Sequence, residues 1–291
     1  MENKKDIVLI LGDGGMMGIF VAGVLRAIDE RLRERVGAVY GTSSGADVGV
    51  YFIANQAEMP KRFFIEHLTK PDFIRKNFLR YLLKIFIFRN NPRVKTKDYL
   101  NVDYFIEVAQ GSDCRLNLDA FEKSDMEFYV KVVEVLSGRV EYLSAKSDVA
   151  QKLKATSQCG PLSTKAIEVD GKKYIDGGTL PSRLDVNLAK ANPEKTFIIV
   201  QSQGHGYIQK ALLYPLYLLV GHALNVLFAK HLGKKYIQTL FTDYDAELRA
   251  QKNVIIIKNE LTYSSFCTEK KKLKAVYEHG LQKALTIFAI L

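Results

Sequence analysis

The segment Tyr40-Gly41-Thr42-Ser43-Ser44-Gly45 has the form G-x-S-x-G, with Ser43 at its centre. In this pattern a serine lies on a tight turn between a strand and a helix, where larger neighbours than glycine would collide. The surrounding sequence predicts a buried strand at residues 36–40 and a helix at 46–56. We therefore predict that Ser43 is a nucleophile. Asp47, early in that helix, is interpreted as complementing the helix dipole.

A second glycine-rich turn precedes the serine turn. Residues 7–11 are an apolar run that predicts a strand, and the glycine loop, Gly12-Asp13-Gly14-Gly15-Met16-Met17-Gly18, separates it from a predicted helix at 19–33. Two strand-loop-helix units in succession predict a parallel sheet with right-handed crossovers. Both loops then lie at the carboxyl edge of the sheet, where Gly14, Gly15 and Met16 are predicted to form an oxyanion hole.

Asp176-Gly177-Gly178 directly follows a predicted hairpin formed by residues 165–169 and 172–175. The dipeptide Asp170-Gly171 already supplies the turn of that hairpin. A second Asp-Gly pair after a strand is better explained as a loop that presents a carboxylate. Asp176 is therefore the candidate base.

Residues 60–110 are predicted to form a helical insertion on the sheet. Lys76, Arg80 and Lys84 recur every four residues and form a basic stripe on a segment that is otherwise very apolar. Two interpretations stay open: a helix that contacts an anionic membrane, or an internal helix with a solvated basic edge.

Size and composition limit the remaining choices. A chain of 291 residues with 47% hydrophobic content can build one large core. We expect a single domain over 1–291, with its core at about 5–200 and a helical extension at 201–291. The formal charge of +10 favours an anionic partner, but no zinc-finger or RNA-binding signature accompanies it, so nucleic acid is not expected.

The expected compartment follows from two further features. Three widely spaced cysteines predict neither a disulfide framework nor a cysteine metal site, which favours a reducing environment. The first apolar run is too short for the core of a signal peptide. We expect a cytoplasmic protein, with peripheral contact at the inner face of the membrane as a further hypothesis.

Together the motifs resemble the patatin-like phospholipase family. The resemblance rests on the glycine loop, on Gly41-Thr42-Ser43-Ser44-Gly45 and on Asp176-Gly177-Gly178, in this order, and covers about residues 5–200. It implies an α/β three-layer sandwich with a mostly parallel central sheet and helices on both faces. The residues that support its motifs are Gly12, Asp13, Met17, Gly18, Gly41, Gly45, Gly177 and Gly178.

The resemblance also implies an activity. A family member of this kind would cleave the carboxylic ester bonds of phospholipids or other acyl esters. Ser43 would act as nucleophile and Asp176 as proton acceptor, without a histidine, a metal or another cofactor. A carboxylate is a weaker base than imidazole at neutral pH, so such a dyad requires a partly dry site.

Alternative functions stay open. The family's loop usually reads G-x-G-x-x-G with a basic residue before the last glycine, whereas Asp13 and Met17 occupy the first and the basic position here. An Asp13 carboxylate that faces the site would oppose an oxyanion. One alternative is therefore a catalytically degenerate protein that keeps the fold and binds lipid or protein.

Another alternative is an α/β-hydrolase triad of Ser43, Asp176 and His205, although that fold places its nucleophile after several strands. A nucleotide-binding loop is disfavoured because no G-K-[ST] follows the glycines.

Overall fold

The computed structural model describes residues 5–75, 81, 98–111, 113–202, 214–239, 242 and 244–289. The predicted basic stripe of Lys76, Arg80 and Lys84 lies outside the described residues, and so does His205.

The described strands form one mixed sheet. They are β1 (Ile7–Leu11), β2 (Val36–Gly41), β3 (Glu127–Glu134), β4 (Val140–Ser144), β5 (Ile167–Val169), β6 (Lys172–Asp176), β7 (Thr196–Gln201) and β8 (Val254–Lys258). Their order is β5-β6-β3-β2-β1-β7-β8, with β4 paired to β3. The pairs from β3 to β8 along this order are parallel, whereas β4, β5 and β6 pair antiparallel. The predicted parallel pairing of the first two strands is confirmed.

The other regular elements of the described residues are helices. They are α1 (Gly18–Arg31), α2 (Ser44–Ile53), α3 (Met59–Arg62), α4 (Val102–Gly111), α5 (Leu118–Lys123), α6 (Val149–Ser157), α7 (Leu184–Ala191), α8 (Tyr214–Leu227), α9 (Lys230–Thr239), α10 (Asp245–Arg249) and α11 (Lys270–Phe288). A π-helical turn, Phe63–His67, follows α3, and short 3-10 turns occur at Gly15–Met17, Arg33–Arg35 and Gly177–Thr179. Among the described residues, no helix combines the length and the apolar character that are needed to cross a bilayer.

Helices cover both faces of the sheet. Successive side chains of a strand point to opposite faces, and β1 shows this clearly. Leu9 and Leu11 pack in the larger core, which contains the buried faces of α1, α2 and α11. Val8 and Ile10 pack in a smaller core with residues of α7 and α10. The predicted α/β sandwich with helices on both faces of a mostly parallel sheet is confirmed.

Gly221 lies inside a helix. α8 runs through this glycine without interruption. A Cβ atom at Gly221 would lie 2.9 Å from Cγ1 of Ile237 in α9. The glycine therefore permits the close approach of α9, and the helix pair consists of α8 and α9.

Close helix contact also explains Gly23 in α1, and it yields a stability prediction. A Cβ atom there would collide with the carbonyl oxygen of Tyr277 in α11 and would lie 2.8 Å from the backbone nitrogen of Leu281. We expect Gly23→Ala to lower the free energy of unfolding by about 1–3 kcal/mol, as overpacking usually does, measured by urea denaturation.

The matched control is Gly111→Ala at the end of α4, where an added Cβ meets nothing within 4 Å. Its free energy of unfolding should change little or rise by up to about 1 kcal/mol. Equal urea midpoints for Gly23→Ala and the unmodified protein would contradict the close contact between α1 and α11.

Candidate active site

Ser43 lies at the junction between β2 and α2, on a constrained backbone. Its φ of 49° and ψ of −128° are unusual for a residue with a side chain. A Cβ atom at Gly41 would collide with Ala46, and one at Gly45 would collide with the carbonyl oxygen of Leu11 at the end of β1. The two glycines of the G-x-S-x-G pattern are thus required by close backbone packing. As a result Ser43 stands half-buried at the carboxyl edge of the sheet.

The backbone of Ser43 is held by a hydrogen-bond chain. Its N–H donates to Oγ1 of Thr156 at 3.0 Å, and that hydroxyl donates to the carbonyl oxygen of Lys131 at 2.6 Å. Thr156 is fully buried at the end of α6. This chain fixes the serine turn relative to β3 and leaves the Ser43 hydroxyl available for chemistry.

Asp176 is the last residue of β6 and is only 3% exposed. Its Oδ1 accepts a hydrogen bond from the N–H of Gly178 at 2.7 Å, and its own N–H donates to the carbonyl oxygen of Gln158 at 3.1 Å. Burial, and next the negative charge of Asp13, raise the pKa of Asp176 to about 7, although hydrogen bonding by Gly178 and by the Ser43 side chain opposes the rise. A carboxylate with this pKa suits proton transfer near neutral pH.

Ser43 and Asp176 line the same cavity, which has a volume of about 410 Å³. Asp13, Gly14, Gly15 and Met16 of the glycine loop form part of its wall. A large part of the remaining wall is apolar and includes Phe64, Leu68, Phe73, Leu100, Phe105 and Leu162. The structure therefore brings together three segments that are far apart in the sequence. A mostly apolar pocket of this size suits a small or medium-sized ligand.

The N–H groups of the glycine loop differ in their hydrogen bonding. The N–H of Met16 donates to the carbonyl oxygen of Ser265 at 2.9 Å, and the N–H of Met17 donates to the carbonyl oxygen of Gly14 at 3.0 Å. No hydrogen bond from the N–H of Gly14 or Gly15 to another described residue is found. Of the three residues predicted for the oxyanion hole, Gly14 and Gly15 therefore keep their donors for a ligand in this conformation.

The two unusual residues of the glycine loop have different environments. The Met17 side chain is 1% exposed and packs in the larger core. Asp13 lines the cavity, and a Cβ atom added to Gly178 would lie 2.8 Å from its carboxyl carbon. Asp13 thus lies against the turn that carries Asp176. Its charge acts on that carboxyl group as well as on any oxyanion.

Asp47 is a site residue whose position the sequence interpretation missed. It occupies the first turn of α2 as expected, but it is 9% exposed and lines the cavity. Burial holds the pKa of Asp47 well above its usual range, and the charge of Asp176 adds to the rise. Burial therefore favours the neutral form of this carboxyl group. The available signal in the sequence was its place in the first turn of the helix that follows the serine turn.

One cluster among the described residues has the geometry for a metal ion. Ligand atoms of His67, Asp113 and Cys114 lie within 4.8 Å of one another. The three residues do not line the cavity of Ser43. Arg62 already forms an ion pair with Asp113, and burial raises the pKa of the Cys114 thiol to about 11. Because a thiolate is the form that binds metals, we assign no metal to this cluster.

Similarity to solved structures supports the fold. VipD from Legionella pneumophila superimposes with a TM-score of 0.52 at 13% identity, over 98% of this chain and 66% of VipD. The type III effector protein ExoU matches 80% of this chain and 53% of its own at 11% identity, but its TM-score of 0.31 is too low to support an argument.

Sequence similarity is more informative about the family. The chain is 27% identical over 203 residues to YjjU of Escherichia coli (strain K12), a match that covers 67% of this chain and 52% of YjjU. The chain thus spans about half the length of that relative. A profile of the Patatin-like phospholipase family matches residues 9–190, which include the glycine loop, Ser43 and Asp176. Since this match extends over more than half of the sequence, the chain belongs to the patatin-like phospholipase family.

Proposed function

We propose that the protein hydrolyses carboxylic esters of lipids with Ser43 as nucleophile and Asp176 as proton acceptor. The observation that carries the proposal is the common cavity of the two side chains, in which the Asp176 carboxyl is buried with its pKa raised to about 7. Family membership supports an ester substrate, and the apolar wall of the cavity is suited to an acyl chain.

The proposed reaction proceeds through two displacements. The Ser43 hydroxyl oxygen attacks the ester carbonyl and its proton passes to Asp176. The N–H groups of Gly14 and Gly15 stabilise the oxyanion, each by about 3 kcal/mol in the transition state. The alcohol then leaves with the proton from Asp176, and Ser43 holds the acyl group as an ester. Water, deprotonated by Asp176, attacks this ester and releases the fatty acid, which regenerates Ser43.

The experiment that tests the dyad is covalent labelling with a fluorophosphonate probe. We expect the unmodified protein to be labelled at Ser43, Ser43→Ala to show no labelling, and Asp176→Asn to react about 10²–10⁴-fold more slowly, because the serine then lacks its proton acceptor. Peptide mass spectrometry identifies the labelled residue.

The thermal unfolding midpoints of the three proteins are compared to verify that each variant is folded. Equal labelling of all three proteins would contradict the dyad. A folded, unlabelled wild-type protein would support the alternative of a lipid- or protein-binding member without catalysis.

The pH dependence of activity tests the role of Asp13. Asp176 accepts a proton only when ionised, so activity should rise with pH through about 7. Removal of the Asp13 charge makes this ionisation easier, so Asp13→Asn should shift the rising limb of kcat/KM to lower pH. Burial also raises the pKa values of the neighbouring Asp47 and Cys159 well above their usual ranges.

Asp13→Glu, which keeps the charge, is the matched variant. It should leave the rising limb of the kcat/KM profile near its original pH. An identical limb in the Asn variant and the unmodified protein would show that the Asp13 charge does not act on the base.

We also propose that the enzyme meets its substrate at an anionic lipid surface, because the chain carries a formal charge of +10. Sedimentation with phosphatidylglycerol-containing vesicles should decrease between about 0.05 and 0.5 M salt, since salt screens exposed charges. Vesicles of phosphatidylcholine alone are the control. Equal binding to both kinds of vesicle would contradict an electrostatic contribution.

A further inference from the structure

The active-site cavity contains a polar patch that the proposed dyad chemistry does not use. We define this patch as Ser44, Asp47, Ser157 and Thr179, which all line the cavity. Oγ of Ser157 donates to the two carboxyl oxygens of Asp47 at 3.2 and 3.3 Å. Around the patch stand phenylalanine and leucine side chains. Buried polar groups in such surroundings are costly unless they find partners.

Two members of the polar patch lack such partners. Oγ of Ser44 and Oγ1 of Thr179 make no hydrogen bond with any described residue, and the two residues are only 5% and 7% exposed. Buried hydroxyls are normally hydrogen-bonded. The Asp47 carboxyl also lines the cavity, and Ser157 is the one hydrogen-bond donor found for it among the described residues. A buried carboxyl group with so few partners points to a ligand that carries a polar group of its own.

The place of Asp47 in the helix limits where that polar group lies. Asp47 follows Ser43 by four residues, and its N–H donates to the Ser43 carbonyl oxygen at 3.1 Å. Ser43, Asp47 and Asp176 line the same cavity, and the charge of Asp176 contributes to the raised pKa of Asp47. A group that contacts the Asp47 carboxyl is therefore close to the ester carbonyl that Ser43 attacks.

We propose that the acyl group of the substrate carries a hydroxyl close to its ester carbonyl, and that Asp47 and Ser157 bind this hydroxyl. The inference rests on the proposed function of Ser43 and Asp176 and adds a substrate class to it. The carboxyl oxygens of Asp47 accept hydrogen bonds and the Ser157 hydroxyl can donate or accept one, so the pair can bind a substrate hydroxyl. An unsubstituted acyl chain would instead cover the polar patch and leave its groups unpaired, which is how a polar site rejects an analogue that lacks the hydroxyl.

The test compares p-nitrophenyl 3-hydroxybutyrate with p-nitrophenyl butyrate. The measured quantity is the ratio of the two kcat/KM values, each divided by the rate of hydroxide-catalysed hydrolysis of the same ester. This correction removes the intrinsic effect of the hydroxyl on reactivity. We expect the unmodified protein to prefer the hydroxylated ester by about tenfold, the effect of one well-made buried hydrogen bond.

Variants separate recognition from structural support. Asp47→Leu should bring the ratio to about one or below, whereas Asp47→Asn, which keeps a donor and an acceptor, should retain most of the preference. A purely structural role of Asp47 would reduce both activities together and leave the ratio unchanged. Asp119→Leu is the matched control, because Asp119 also lies in the first turn of a helix but is exposed. Its ratio should equal that of the unmodified protein.

Fluorophosphonate labelling of Ser43 on the same preparations separates the two proposals. Labelled protein with a ratio near one would overturn the hydroxyacyl inference and leave the proposed hydrolase intact. Folded protein without labelling would overturn both. A ratio that persists in Asp47→Leu would overturn the assignment of the hydroxyl to Asp47.

Discussion

The contact between the start of α2 and the end of β1 is the constraint on which the site depends. The N–H of Thr42 donates to the carbonyl oxygen of Leu11 at 2.9 Å, and Gly45 lies so close to the same carbonyl that no side chain fits there. This contact forces Ser43 into its positive φ and brings the serine turn beside the glycine loop. Both loops belong to adjacent parallel strands, so the contact also explains why one edge of the sheet carries the chemistry.

The cavity contains carboxyl groups whose charged forms are disfavoured by burial. Asp13, Asp47 and Asp176 line one cavity, and each negative charge makes ionisation of the others more difficult. Burial raises the pKa of Asp47 well above its usual range and that of Asp176 to about 7. In the proposed chemistry Asp47 binds a ligand by hydrogen bonds, whereas Asp176 exchanges a proton. The difference between the two roles comes from their surroundings and not from residue type.

The sequence predicted the parts of this structure that local patterns determine. The apolar runs of β1 and β2 and the hairpin before Asp176 followed from strand periodicity and turn chemistry. Long-range contacts were not accessible in this way. The buried position of Asp47 depends on α6, more than 100 residues away, and the contact between Met16 and Ser265 spans almost the whole chain. The role of Gly221 was inaccessible for the same reason, since only the contact with Ile237 in α9 explains the glycine.

The hydrogen bond from the N–H of Met16 to the carbonyl oxygen of Ser265 links the glycine loop to a residue far beyond the family profile. The family profile ends at residue 190, yet the glycine loop is also supported from beyond that point. The carbonyl oxygen of Val200 in β7 accepts a hydrogen bond from the N–H of Gly12 at 2.8 Å. Ser265, in the connection between β8 and α11, accepts a hydrogen bond from the N–H of Met16 and lies close to Gly15. A shortened chain cut at the border of the profile would lose both of these contacts with the glycine loop. The scaffold of the first glycine-rich turn therefore extends to residues near the other end of the described sequence.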